Sequence, residues 1–261
     1  MSRAARLVLI LASLAAPYSL VGAPARADNV DVLLVLAADV SRSINEGEFE
    51  LQRKGYAAAL ADPRVLKAIA SGPHQAIDLT YIEWSDALEQ EVVVDWTRID
   101  NGEDAAAVAS TILKAPRSFL SRTAIGSAID FSLQRLTVAK DTGDKRIIDV
   151  SGDGTSNSGE PVTEARDRAV ATGVTVNGLA IINTDAGPGF LMHTQPPGGL
   201  PEYYRQNVIG GPGAFLLQVE NFGTFAEAIA RKLISEIAYL PGTNNHLTLV
   251  DKAQKSPARP N

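Results

Sequence analysis

In Val30-Asp31-Val32-Leu33-Leu34-Val35-Leu36-Ala37-Ala38-Asp39-Val40-Ser41-Arg42-Ser43, a nearly solid Val/Leu run ends in alternating carboxylate and hydroxyl side chains. A strand with one wet face alternates apolar and polar residues. Val30 to Ala37 does not, and this predicts a central strand covered on both faces. Sheets bury strands in this way when they are parallel and carry helices on both sides. The polar string then falls on the loop at the strand's C-terminal end, the edge of an open α/β sheet where ligands bind.

The flanking chain keeps a βα rhythm. Phe49, Arg53, Tyr56 and Leu60 stand three and four apart and predict a helix over Glu46 to Leu60. Ala76 to Trp84 and Val92 to Trp96 read as strands joined by a bend short enough for an antiparallel hairpin. Helices are expected at Asp104 to Leu113, Ala124 to Leu136 and Pro161 to Thr172, the last opened by an acid and a proline suited to a first turn. Arg146 to Val150, Val174 to Ile182 and Ala214 to Val219 read as further strands. Phe222 to Tyr239 carries Phe222, Phe225, Ile229, Leu233 and Ile237 on one stripe and closes the pattern as a helix. The fold class expected is α/β, doubly wound, with a mostly parallel central sheet, one antiparallel edge strand and helices on both faces. One domain over 28–240 is expected, followed by a loose polar tail over 241–261.

Residues 1–27 read as a cleaved secretory signal: Arg3 and Arg6, an apolar run from Leu7 to Ala16, and the small-x-small site Ala25-Arg26-Ala27. The apolar run is too short to span a bilayer. A periplasmic or secreted protein beginning at Asp28 is expected. The leader carries three Arg and no acid, so its removal takes the net charge of −6 to −9. With no basic stretch interleaved with aromatics, nucleic acid is not an expected partner. Cysteine is absent, which excludes disulfides, thiolate metal sites and cysteine nucleophiles. His74, His193 and His246 are the three histidines, and no two lie at a ligand spacing that would suggest zinc.

Asp39, Ser41 and Ser43, at alternate positions of an extended loop, can point one carboxylate and two hydroxyls into one concavity. Such oxygen-only donor sets suit hard cations, above all Mg²⁺, with Mn²⁺ or Ca²⁺ as alternatives. Thr123, opening a predicted helix, and Asp153, following a predicted strand, would surface on the same edge. Asp149 interrupts an apolar strand and reads equally as an acid behind the site or as a satisfied buried carboxylate.

The set Asp39-x-Ser41-x-Ser43, Thr123 and Asp153-Gly154, in that order and at those junctions, resembles the metal-ion-dependent adhesion site of von Willebrand factor A and integrin I domains. The likeness spans roughly residues 30 to 240. It looks closest to a bacterial exported branch of unknown function, to which Tyr203-Tyr204-Arg205-Gln206-Asn207-Val208-Ile209-Gly210-Gly211-Pro212-Gly213 and Lys232-Leu233-Ile234-Ser235-Glu236-Ile237 point. The resemblance implies that Ser41, Ser43 and Thr123 bind the metal through hydroxyls and that Asp39 and Asp153 act directly or through water. It also implies an open position that an Asp or Glu of a partner protein completes. Ser121-Arg122 departs from the pattern, since a glycine is usual before the Thr.

The function expected is therefore an exported, divalent-metal-dependent protein-binding module, not an enzyme. The alternatives are a metal-assisted phosphate-ester hydrolase and a structural domain stapled by its metal. Against the first, Ser41 stands where haloacid-dehalogenase-like phosphatases need a second Asp. The Gly/Pro-rich connection 183–213 breaks the βα rhythm, and its Tyr203, Tyr204 and Arg205 are residue types enriched at binding hot spots, so they are expected on the partner surface.

Overall fold

The computed structural model describes residues 28–182, 196–220 and 224–238. The expected leader, the tail and the first part of the 183–213 connection lie outside the described residues. The strands are β1 (Asn29–Asp39), β2 (Ile77–Trp84), β3 (Gln90–Ile99), β4 (Thr142–Gly152), β5 (Thr175–Ile181) and β6 (Leu216–Val219). The helices are α1 (Glu46–Leu60), α2 (Pro63–Ala70), α3 (Gly102–Lys114), α4 (Ile125–Thr137), α5 (Val162–Ala171), α6 (Gly199–Asn207) and α7 (Phe225–Ile237).

The strands form one sheet in the order β3-β2-β1-β4-β5-β6. Every pairing is parallel except β2 with β3, which is antiparallel and puts β3 on the edge, as the hairpin signal implies. In β1, Val32, Leu34, Leu36 and Ala38 join the core beneath α1, α2, α3 and α7. Leu33, Val35 and Ala37 join the second core, beneath α4, α5 and α6. Both faces of β1 are thus covered, which is why its sequence shows no alternation.

The helix α2 is an addition to the expected elements: its two turns are too short for a periodic signal. Its local chemistry is clear, with the Asp62 side chain accepting from Arg64 N and Pro63 at the first helical position. Among the described residues no helix is long and apolar enough to cross a membrane.

This topology positions the site. The chain leaves β1 toward β2 on one side and returns to β4 on the other, so the sheet's switch point opens between the C-terminal ends of β1 and β4. Asp39 ends β1, and Asp153 follows Gly152 at the end of β4.

Candidate metal centre

Four loops meet over the switch point. Arg42 N donates to Ser121 O at 2.9 Å, and Ser85 Oγ donates to Arg122 O at 2.9 Å. Asn157 N and Ser158 N both donate to Thr123 O, at 2.8 and 3.2 Å. The loop after β1 is held from within by Arg117, whose guanidinium donates to Val40 O, Ser41 O and Ile44 O at 2.9, 3.0 and 2.7 Å. Gln52 Nε2 donates to Asp39 O at 3.0 Å, anchoring the same loop to α1.

Within this frame all five residues expected from the sequence come together. Thr123 Oγ1 donates to Ser41 Oγ at 3.3 Å, and Ser41 Oγ lies 3.1 Å from Ser43 Oγ. Ser43 Oγ donates to Asp153 Oδ1 at 2.6 Å, while Asp39 Oδ1 accepts from Ser41 N at 2.7 Å. Asp39, Ser41, Thr123 and Asp153 are buried, and Ser43 is half-buried. The exposed Arg42 and Arg122 flank the site.

The donor set fits a small hard cation. It contains only oxygens, three neutral hydroxyls and two carboxylates, within one hydrogen-bonded chain. Asp39 Oδ2 is buried with no hydrogen-bond partner among the described residues. Burial, and next the charge of Asp153, raises the Asp39 carboxyl well above its ordinary range, against the Ser41 donors and Arg117. Two buried carboxylates that oppose each other's ionisation are what a divalent cation relieves. Asp39, Ser41, Ser43, Thr123 and Asp153 would hold it.

Asp149 belongs elsewhere. Its carboxylate lies 2.7 Å from Lys232 Nζ on the opposite face of the sheet, and Lys232 also reaches Glu236 at 2.5 Å. It is a buried acid paired with Lys232, closer to the second of its two readings, with Oδ2 left without a hydrogen-bond partner among the described residues. Glu83, at the end of β2, pairs with Arg53 at 2.6 Å and accepts from Ser118, tying α1 to the loop before Thr123. Arg117 did not stand out in the sequence, because a lone Arg in a loop carries no periodic or spacing signal, while Glu83, which with Asp86 flanks Trp84 as a possible acid/base pair, reads more cheaply as the end of a strand.

The expected partner surface needs correction. Tyr204 is 0% exposed and packs in the core under α6, so it is no surface anchor. Tyr203 is half-buried, its hydroxyl accepting from Ser156 N at 3.2 Å, and Arg205 is exposed and pairs with Glu202 at 3.1 Å. The burial follows from α6 being a formed helix that lies over β5 and β6, where a free loop was expected.

At the opposite pole Asp31, His74 and Asp144 bring ligand atoms within 4.8 Å of one another. Sequence spacing hid this set, since the three come from distant segments. Asp31 accepts from His74 N at 2.9 Å and from Ala76 N at 3.3 Å, and Asp144 lies 3.3 Å from His74 Nε2. These bonds close the turn that leads into β2.

A family model described as "Protein of unknown function (DUF1194)" matches residues 29–241. No curated protein matches. Among solved structures, proximal thread matrix protein 1 (PTMP1) from the mussel byssus is similar, with a TM-score of 0.58 and 16% identity over 81% of this chain and 49% of that one. The same protein with a zinc-occupied MIDAS motif aligns at a TM-score of 0.54 and 16% identity, over 80% and 48% of the two chains. A von Willebrand factor type A structure from Catenulispora acidiphila aligns at 0.55 and 14% identity, over 80% and 43%. The pilus adhesin SpaC from Lactobacillus rhamnosus GG aligns at 0.54 and 14%, over 81% and 32%. At such identities the likeness is one of fold, and the chain spans half or less of the length of each of these three proteins.

Proposed function

We propose, for a chain that belongs to the DUF1194 family of proteins of unknown function and has a von Willebrand factor A-like fold, that it is an exported, divalent-metal-dependent binding module. On this reading it grips an Asp or Glu of a partner protein through a cation held by Asp39, Ser41, Ser43, Thr123 and Asp153. The observation that carries the reading is the convergence of those five side chains at the switch point, with Asp39 Oδ2 buried and without a hydrogen-bond partner among the described residues. Three of the five donors are neutral hydroxyls, and five donors leave one position of an octahedral shell for an outside carboxylate. Arg42 and Arg122, exposed beside the site, add attraction for an acidic group. The zinc-occupied motif in PTMP1 and the adhesin role of SpaC support a cation and a binding function for this fold. The leader-like segment 1–27 supports export. Binding, and not catalysis, is the function proposed.

The test is thermal unfolding with and without Mg²⁺ or Mn²⁺. A ligand bound only by the native state stabilises by about 2.7 kcal/mol at a hundredfold excess over its Kd. Asp39→Ala and Asp153→Ala are each expected to abolish that gain. An equal metal-induced shift in wild type and both variants would overturn the assignment.

A further inference from the structure

Two glycines inside strands clear space for one side chain. A Cβ on Gly178 of β5 would stand 2.9 Å from Tyr204 Cδ1, and a Cβ on Gly152 of β4 would stand 2.7 Å from the Tyr204 hydroxyl. Glycine within a strand weakens it and marks a close approach of another group, so both positions sacrifice sheet stability to admit this phenol. The same point above Gly152 lies 3.0 Å from Asp39 Oδ2. Tyr204 Oη and Asp39 Oδ2 are thus two buried polar atoms converging on one glycine, and neither has a hydrogen-bond partner among the described residues. Leaving a buried donor and a buried acceptor unpaired is costly, and joining them, directly or through one water, removes that cost.

We propose that Tyr204 is a positioning residue of the metal centre: its hydroxyl, aimed at the same point above Gly152 as Asp39 Oδ2, donates toward that oxygen, directly or through one water, and fixes the orientation of the side chain that would hold the cation. This rests on the metal-binding reading above. A hydrogen bond from a fixed donor outside the coordination shell orients the side chain that binds the metal. The donor is also firmly held. Val208 N and Ile209 N donate to Tyr204 O at 2.9 and 3.0 Å, closing α6, and the Tyr203 ring packs edge-on at 6.2 Å. The segment that differs most from a plain βα connection therefore reaches under the site and contributes to it from below.

Tyr204→Phe keeps the ring and removes only the oxygen. Mn²⁺ binding, followed by the electron paramagnetic resonance of the free ion, and the melting temperature of the metal-free protein are measured for wild type, Tyr204→Phe and Asp39→Asn. Wild type and Tyr204→Phe are expected to bind Mn²⁺, the variant about tenfold more weakly, the usual scale for losing a group that supports a ligand. Its metal-free melting temperature is expected to change little, since among the described residues the hydroxyl makes no hydrogen bond within normal distance and its role is to orient Asp39 for the cation. Equal Mn²⁺ affinity in the two proteins, or a lower metal-free melting temperature with an unaltered affinity, would overturn the role of Tyr204 while leaving the metal site standing. Wild type that binds Mn²⁺ no better than Asp39→Asn would overturn both.

Discussion

Asp149, Lys232 and Glu236 form a buried group with two acids for one base. Asn177 Nδ2 donates to Glu236 Oε1 at 2.9 Å, and Tyr56, hydrogen-bonded to Ser151 at 2.8 Å, packs nearby. Burial opposes the Lys232 charge, but the facing carboxylates of Asp149 and Glu236 more than offset it and hold the ammonium above its ordinary value. Burial pushes Asp149 up to about 7, with Lys232 opposing and Glu236 adding to the rise. An acid whose folded pKa exceeds its unfolded one holds its proton more tightly when folded. Its contribution is fully present below the unfolded value near 3.8 and is lost as pH rises toward about 7. Asp39, raised by burial and Asp153, and Asp78, raised by burial to about 6, tilt stability the same way. Asp149→Asn keeps the acceptor for Lys232 and leaves the group neutral. It is expected to flatten the loss of stability between about pH 4 and pH 7, relative to wild type, by on the order of a few kcal/mol, with stability at pH 7 equal or higher. Urea unfolding at a series of pH values checks this; an unchanged slope, or a loss of several kcal/mol at pH 7, would show that Asp149 is ionised and needed as such.

At the scale of elements, α1 starts straight after the metal loop and is fixed there by a capping box. The Asn45 side chain accepts from Glu48 N at 3.0 Å, and Glu48 Oε2 accepts from Asn45 N at 2.8 Å. Asn45→Ala is expected to cost about 1 kcal/mol in chemical denaturation. Because Arg117 and Gln52 hold the loop independently, Mn²⁺ affinity should stay within about twofold, well under the tenfold that 1.4 kcal/mol represents; a larger change would mean that the cap sets the loop. The sequence showed its strands and longer helices plainly where burial imposes a period. The hairpin of β2 and β3, the unalternating β1 and the stripe on α7 were all legible. So was the meeting of Asp39, Ser41, Ser43, Thr123 and Asp153, since each follows a strand end or opens a helix. Helix α2 was not, because two turns make no repeat, and α6 was masked by its glycines and prolines. The positions of Asp149 and Tyr204 depended on which helix lies over which strand, which local patterning does not encode.

Across the whole molecule, charge is segregated by depth. Surface ion pairs such as Lys54 with Glu50 are exposed, at side-chain accessibilities of 62% and 58%, and contribute little. Of the buried acids, Asp39 and Asp153 meet at the switch point and Asp149 and Glu236 lie under α7, and in both places something must balance the pair: Lys232 under α7, and the proposed cation at the switch point. Strand β1 joins the two poles, from Asp31 clamping the turn at one end to Asp39 at the other, a span of about 26 Å at ~3.3 Å per residue. The register of β1 on β2 sets Asp39 beside Trp84, whose indole is fully buried and whose Nε1 has no partner among the described residues. The chain has one other tryptophan, Trp96, half-buried on the edge strand with its Nε1 donating to Arg135 O at 3.0 Å. The proposed cation beside Asp39 would change the local field on the Trp84 ring and leave Trp96 in its own surroundings, so Trp84 would serve as a native optical gauge of occupancy. In Trp96→Phe, the emission of the remaining indole should shift with Mg²⁺ at the same midpoint as thermal stabilisation, and in Asp39→Ala it should stay still.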